Sequence, residues 1–126
     1  MKTVRIFVYG TLKRGQRQDL ANYIPAPVYL GEGWVYGKLY DLGHCPALVL
    51  DDTAGQVFGE VWELDSTLFA ALDRYEADCG DFRLRNAPVH FAEGVENMAV
   101  YEIGAHQLLP TAHLPSGQWP PVAIPA

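Results

Sequence analysis

This amino-acid sequence predicts an α+β fold that is built mainly of β-strands, with one amphipathic helix. Runs rich in apolar, aromatic and β-branched residues recur along the chain, with glycines and turn-forming residues between them. After Asp65 the apolar residues change to helical spacing. A chain of 126 residues with a hydrophobic share of 49% has enough apolar surface for one continuous core. The sequence therefore predicts a single domain over residues 1–126.

The predicted strands differ in how their side chains alternate. Val4–Tyr9 is apolar on both alternations, which is typical of a central strand that is covered on both faces. Asp51–Gly55 has the composition of a turn and predicts a hairpin between the strands on either side of it. The other strand candidates are Tyr29–Asp41, Ala47–Leu50, Val57–Leu64, Phe82–Phe91 and Met98–Ile103.

Prolines limit two further segments. Asp19–Ile24 has the composition of a short helix, which would end at Pro25 because proline disfavours helical geometry in the residue before it. The tail from Pro110 onward is rich in proline, so we expect it to lie extended over the surface without a ladder of its own.

The helix after Asp65 contains an unexpected carboxylate. Asp65 or Ser66 can accept hydrogen bonds from the first turn, and Leu68, Phe69, Leu72 and Tyr75 follow at helical spacing. On a wheel of about 100° per residue with Phe69 at zero, Leu72 lies at about 300° and Glu76 at about 340°. Glu76 thus falls inside the apolar arc, where burial raises the pKa of a carboxyl group toward the range useful for proton transfer. A helix that frays after Tyr75 would instead turn Glu76 to water.

A second candidate is the segment Tyr9-Gly10-Thr11-Leu12, where the first predicted strand ends. A glycine at this point lets the backbone bend away and expose successive N–H groups, which can bind a carboxylate or stabilise an oxyanion. The alternative is a simple turn, since the glycine-rich fingerprints of phosphate-binding loops are absent from the sequence.

Composition excludes several classes of function. The formal charge of −6 and the scattered Lys and Arg residues argue against a nucleic-acid partner. Cys45 and Cys79 form no C-x-x-C pair, and no apolar segment has the length of a leader or a membrane span. A reduced, cytosolic protein with no membrane association is therefore expected. The four histidines lack the spacing of metal ligands, so we predict no metal site.

Three other side chains have reactive or charged groups. Cys79 lies three residues after Glu76 but has no evident histidine partner, and a lone cysteine is more often a small packing residue. Arg83 and Arg85 share one side of their predicted strand and could hold a substrate carboxylate, although exposed cations on a strand face are ordinary.

Six motifs together resemble the γ-glutamylcyclotransferase-like family, including its AIG2-like and γ-glutamylamine cyclotransferase branches. They span nearly the whole chain: VYGTLKRG (8–15), GEVWEL (59–64), LDRYE (72–76), FRLRNAPV (82–89), VYEI (100–103) and SGQW (116–119). This resemblance implies a small mixed β-barrel with a few flanking helices. It also implies a cavity lined by Tyr9, Gly10, Thr11 and Leu12, with Glu76 as the catalytic acid/base and Tyr101 at the border.

The sequence departs from the family pattern at three places. His44-Cys45-Pro46-Ala47 stands where the family often has Gly-Tyr-Pro-Ala, and Phe82 stands where a tyrosine is common. An asparagine that often follows the YGTL segment is missing from Gln16–Asp19. The first two departures affect the expected choice of substrate, and the third affects the expected mouth of the cavity.

The resemblance implies an intramolecular acyl transfer. The α-amine of a γ-glutamyl amine or peptide attacks its own γ-carbonyl, which closes 5-oxoproline and releases the attached amine, with no cofactor or metal. A carboxylate such as Glu76 would remove the proton from the α-amine and return it to the leaving nitrogen. The alternative is a binding protein that keeps the cavity and has lost turnover. The sequence predicts neither the leaving amine nor the oligomeric state.

Overall fold

The computed structural model of the protein describes residues 2–10, 12–13, 20–23, 25–42, 46–76, 82–103 and 112–119. Within these ranges the strands are β1 (Thr3–Val8), β2 (Val28–Asp41), β3 (Pro46–Leu50), β4 (Gln56–Asp65), β5 (Phe82–Phe91) and β6 (Gly94–Ile103). The helical elements there are α1 (Ser66–Glu76) and a 3-10 turn at Leu20–Asn22. The predicted α+β class is confirmed.

Five strands close into a barrel in the order β2-β4-β1-β6-β5, and β5 returns to β2. The closing contact is short, with Gly33 paired to Phe91 and Trp34 to His90. Neighbouring strands are antiparallel except β1 and β6, which are parallel. β3 pairs with the last part of β2 and so extends the sheet beyond the ring. Closure gives the ring strands partners on both sides, and the implied small β-barrel is confirmed.

Two apolar clusters cover the two faces of β1. The first, here called the barrel cluster, contains Phe7, Tyr9, Val35, Leu39, Leu48, Val57, Val61, Ala87, Val89, Met98, Val100 and Trp119. The second, the outer cluster, contains Ile6, Val8, Leu12, Leu20, Trp62, Leu64, Leu68, Ala99 and Tyr101. Since Leu68 belongs to α1 and Leu20 to the 3-10 turn, the outer cluster lies where these elements cover the barrel wall. By alternation, the barrel cluster fills the interior.

The start of α1 agrees with the capping residues in the sequence. The backbone N–H of Thr67 donates to Asp65 Oδ1 at 2.8 Å, and the Thr67 hydroxyl bonds to the same oxygen. These bonds hold the pKa of Asp65 below its usual value. The N–H of Ser66 donates to the carbonyl of Lys2, which places the start of α1 beside the start of β1.

The predicted hairpin between β3 and β4 is wrong. The turn at Asp51–Gly55 is present, but β3 and β4 each pair with β2 instead of with each other. With 14 residues, β2 is long enough to pair with β4 along Val28–Tyr36 and with β3 along Gly37–Asp41. A local turn signal cannot distinguish these two pairings.

The described part of the proline-rich tail, residues 112–119, is more than a surface covering. It has one isolated bridge, from His113 to Tyr40, and Leu114 N–H donates to the carbonyl of Leu39 at 2.7 Å. Trp119, only 9% exposed, belongs to the barrel cluster, which corrects the expectation of a purely superficial tail. Gly117 makes this approach possible, because its φ is +68° and an added Cβ would lie 2.0 Å from the carbonyl oxygen of Gln56.

Candidate active site

The segment after β1 forms a turn that is fixed on the barrel wall. The N–H of Lys13 donates to the carbonyl of Gly10 at 3.0 Å, which closes a four-residue turn. Leu12 is 3% exposed and packs in the outer cluster, while the N–H of Leu20 donates to its carbonyl at 3.1 Å. Thr11, also predicted to line the cavity, lies outside the described residues. The Leu12 side chain therefore anchors the turn.

Gly10 is required here for a reason that the sequence did not reveal. An added Cβ would lie 2.3 Å from Cγ and 2.7 Å from Cδ of Pro46, the first residue of β3. The φ of Gly10 is not positive, so the requirement is for space and not for an unusual backbone conformation. The close approach of Gly10 to Pro46 thus fixes the turn at a second point, in addition to Leu12.

The two predicted site tyrosines meet through one hydrogen bond. The hydroxyl of Tyr9 donates to the backbone carbonyl of Tyr101 at 2.7 Å, and both residues are buried. Their rings belong to different clusters, Tyr9 to the barrel cluster and Tyr101 to the outer cluster. The contact ties the end of β1 to β6 at the start of the turn.

Glu76 is the last residue of α1, and its side chain lies outside the part of the chain that the structure describes. The described side chains of α1 follow the predicted arc: Leu68 is buried, Phe69 packs against the outer cluster, and Thr67 and Ala70 are exposed. The arc therefore faces the wall that also holds Leu12. A buried, catalytic Glu76 stays a prediction.

A cleft of about 270 Å³ begins at the end of the turn and brings charged groups together. It is lined by Lys13, Glu32, Gly33, Phe58, Gly59, Glu60, Gln118 and Trp119. Glu60 is 8% exposed and is the buried charged residue of the described part of the chain. The indole N–H of Trp62 donates to its Oε1 at 3.2 Å. In the ladders, Glu60 lies between Val8 of β1 and Glu32 of β2.

Within the predicted strand Val57–Leu64, Glu60 shares one face with Phe58 and Trp62, and no role was predicted for it. The spacing already indicated that Glu60 lies on the same strand face as the aromatic residue Trp62. In the structure that face is buried, and Trp62 is 2% exposed. A carboxylate on a buried strand face is costly without hydrogen bonds, so this position called for a functional or structural explanation. Lys13 was likewise read only as part of a motif.

The remaining candidates lie elsewhere or outside the described residues. Arg83 and Arg85 are both exposed on β5, and Arg85 Nε pairs with Glu102 at 3.2 Å. Cys45 and Cys79 are outside the described part of the chain. Within that part, no group of three or more His, Cys, Asp or Glu residues is placed to hold a metal ion. None of the helices described there is long and apolar enough to cross a membrane.

The chain is similar to known proteins both in sequence and in fold. The family model for γ-glutamyl cyclotransferase, AIG2-like, matches residues 6–121. BH1612 of Halalkalibacterium halodurans, which carries the name of a γ-glutamylcyclotransferase, is 33% identical over 89 residues, 68% of this chain and 80% of that protein.

Two solved structures share the fold. PH0828 from Pyrococcus horikoshii superposes with a TM-score of 0.69 at 29% identity, covering 92% of this chain and 89% of that one. A mouse AIG2-like protein gives a TM-score of 0.71 at 23% identity, covering 89% of this chain and 83% of its own. The matched family stretch contains the turn, the end of α1 and Tyr101.

Proposed function

Because the chain belongs to the γ-glutamyl cyclotransferase, AIG2-like family, we propose that it converts a γ-glutamyl amine or peptide into 5-oxoproline and a free amine. The proposal rests on the family match over residues 6–121, which includes both the turn after β1 and Glu76. Tyr9, Gly10, Thr11, Leu12 and Tyr101 form the substrate-binding part of the site, and Glu76 is its acid/base.

The reaction needs one proton carrier. The α-amine nitrogen of the substrate forms a bond to the γ-carbonyl carbon, and the bond from that carbon to the leaving nitrogen breaks. Glu76 takes the proton from the attacking amine and delivers it to the leaving nitrogen, so the carboxylate is regenerated in each cycle. Because amine and carbonyl belong to one molecule, holding it folded supplies the proximity that the reaction requires.

The described backbone supports a position for Glu76 near the turn. α1 begins beside Lys2, at the start of β1, and packs against β1 and β4. Its 11 residues span about 16 Å, close to the roughly 20 Å that the six residues of β1 cover. In the proposed arrangement the helix returns along β1, which would bring its last residue toward the end of the strand where the turn begins.

The turn is suited to hold the anionic part of the substrate. Its backbone N–H groups near Gly10–Leu12 can bind a carboxylate or the oxyanion that develops on the γ-carbonyl oxygen. Such donors act best when they do not have to reorganise, and the contacts of Gly10 with Pro46 and of Leu12 with the outer cluster limit their movement.

The test is release of 5-oxoproline from a panel of γ-glutamyl amines and peptides. We expect at least one member of the panel to be turned over by the purified protein without added metal. A uniformly negative panel, together with tight binding of a panel member, would replace the enzyme with a binding protein that keeps the cavity.

A further inference from the structure

The barrel has a gap along its seam, where β2, β3 and β5 meet. One edge of β2 is shared by two strands: β5 pairs with it around Trp34, and β3 pairs with it from Gly37 onward. The N–H of Asp51 donates to the carbonyl of Tyr36 at 3.3 Å, so β3 follows this edge up to that point. The described pairing of β5 with β2 ends at His90. The two strands therefore diverge and leave a cleft of about 530 Å³, here called the seam cleft.

The seam cleft has an apolar floor and a polar rim. Val35 and Ala87 belong to the barrel cluster and are buried, so the cleft reaches the core. Pro88 has no N–H, which suits a strand edge that no neighbouring strand covers. The full lining consists of Val35, Tyr36, Leu50, Asp51, Asp52, Asn86, Ala87, Pro88 and His90. Both the volume and the apolar floor are typical of sites for small molecules.

Aromatic rings stand at the outer side of this cleft. Phe58, Trp34, His90 and Val95 lie opposite one another on β4, β2, β5 and β6, and Tyr36 follows on the same face of β2. The rings of Trp34 and His90 are stacked, with centroids 3.9 Å apart. The Tyr36 ring is turned 85° from that of His90 at 5.6 Å. Tyr36 and His90 thus form a right-angled corner that lines the seam cleft.

The rim of the seam cleft carries two carboxylates, and no lysine or arginine is among its described lining residues. The N–H and the hydroxyl of Thr53 both donate to Asp51 Oδ1, at 2.9 and 2.7 Å. These bonds lower the pKa of Asp51, and the charge of Lys38 adds a smaller effect in the same direction. Asp52 is exposed and makes no ion pair within 4.0 Å to a described residue. The rim is therefore complementary to a positive charge.

We propose that the seam cleft binds an organic ammonium ion with an apolar body. Aromatic faces and carboxylates attract the ammonium group, and the floor covers the apolar part of the ligand. The charge disfavours a second copy of the chain as the occupant, because each copy has a formal charge of −6 and the same acidic rim. The inference does not depend on the proposed reaction, since the seam cleft contains no residue of the turn after β1 or of α1.

The first experiment compares three probes by calorimetry. n-Hexylammonium has both the charge and the apolar chain, hexan-1-ol has the chain without the charge, and ethylammonium has the charge with a short chain. The wild-type protein should bind n-hexylammonium at least about tenfold more tightly than either of the others. The NMR signals of the Tyr36 and His90 rings should shift as n-hexylammonium is added, because both rings line the seam cleft.

The second experiment removes the charges of the rim. Asp51→Asn and Asp52→Asn combined in one protein should weaken binding of n-hexylammonium by about tenfold. Asparagine can keep the local turn bonds, and thermal unfolding verifies that the variant is folded. The matched control combines Glu93→Gln and Glu96→Gln, which removes two charges beside Arg5 and outside the seam cleft. Its affinity should stay within about twofold of wild type.

Two single variants should change the affinity in opposite directions. Tyr36→Leu keeps an apolar side chain but removes the ring, so binding of n-hexylammonium should weaken by about two- to fivefold. Lys38→Met removes a positive charge that acts on Asp51 and opposes a cationic ligand, so binding should strengthen by about twofold.

Three results would overturn the proposal. One is hexan-1-ol binding as tightly as n-hexylammonium, which would mean that the charge is not recognised. Another is an equal loss of affinity in the two double variants, which would assign binding to the negative charge of the whole protein. The third is binding of n-hexylammonium without a shift of the Tyr36 and His90 signals, which would place the ligand elsewhere.

Discussion

Arg5 and Lys13 lie near opposite ends of β1 and differ in how their positive charges are balanced. Arg5 contacts three carboxylates: Glu63 at 3.1 Å, Glu96 at 2.8 Å and Glu93 at 3.4 Å. The hydrogen bond to Glu63 is the main cause of its raised pKa. Lys13 shares a cleft with two carboxylates, makes no such contact among the described residues, and has a lowered pKa. Among the described residues, the charge of Arg5 is therefore balanced by direct contacts, and that of Lys13 by two glutamates at longer range.

The largest expected effect is a loss of enzymatic activity, and it distinguishes the proposed site from the ion pairs around Arg5. Glu76→Gln keeps the size of the side chain but removes its ability to carry a proton, so 5-oxoproline release should fall by roughly 10²- to 10⁴-fold. The matched control is Glu63→Gln, which alters a carboxylate beside Arg5 and should leave turnover within about twofold of wild type, because surface ion pairs contribute little. Steady-state rates on one panel substrate provide the measurement.

The assigned mechanism would be wrong if Glu76→Gln released 5-oxoproline at a near-normal rate. The same variant should still bind 5-oxoproline, since an amide in place of the acid leaves the turn unchanged. Thermal stabilisation by the ligand checks this point independently of turnover.

The second effect concerns the rigidity of the turn. Gly10→Ala puts a methyl group 2.3 Å from Pro46 Cγ, so the turn or β3 must shift, and the free energy of unfolding should fall by about 1–3 kcal/mol. Urea unfolding measures the loss, and the Michaelis constant for the substrate should rise because the turn has moved. Gly55→Ala is the control: an added Cβ there meets nothing within 4 Å, and its stability should stay within about 0.5 kcal/mol of wild type.

Equal stability losses in Gly10→Ala and Gly55→Ala would show that the contact with Pro46 does not hold the turn. The case for a preorganised anion site after β1 would then depend on Leu12 alone.

The sequence predicted where the strands and the helix lie along the chain, but it did not predict which segments contact each other in the fold. Phe82–Phe91 was predicted with both ends correct, and the start of α1 followed from Asp65, because alternation and capping are local. The reason for Gly10 was missed because Pro46 reaches it only after β2 has folded back. The cleft was missed for the same reason, since Lys13 and Glu60 belong to different elements and meet only through the pairing of β1 with β4.

A third, smaller effect tests the link between the turn and β6. Tyr9→Phe removes the hydroxyl that donates to the carbonyl of Tyr101, and the loss of one buried hydrogen bond should cost about 1–2 kcal/mol of unfolding free energy. Tyr36→Phe is a matched control on β2, where the residue is 44% exposed and the cost should be within about 0.5 kcal/mol. Guanidinium unfolding of both variants gives the comparison, and equal losses would mean that this hydrogen bond adds nothing to the stability of the fold.

The smallest effect is expected at Arg5, whose positive charge is balanced by three carboxylates. Arg5→Met removes three ion pairs. The side chains of Arg5 and Glu63 are 29% and 30% exposed, and such partly exposed pairs contribute about 0–1 kcal/mol each to the free energy of unfolding. The loss should shrink as salt is added, because the charges are screened, and it should leave binding of 5-oxoproline unchanged. Lys13→Met should give the reverse pattern in stability, with no loss, because it removes a partly buried charge whose pKa is lowered by burial. If Arg5→Met also weakened binding of 5-oxoproline, the two ends of β1 would not be functionally distinct, and the effect would have to be explained by the field of the whole protein.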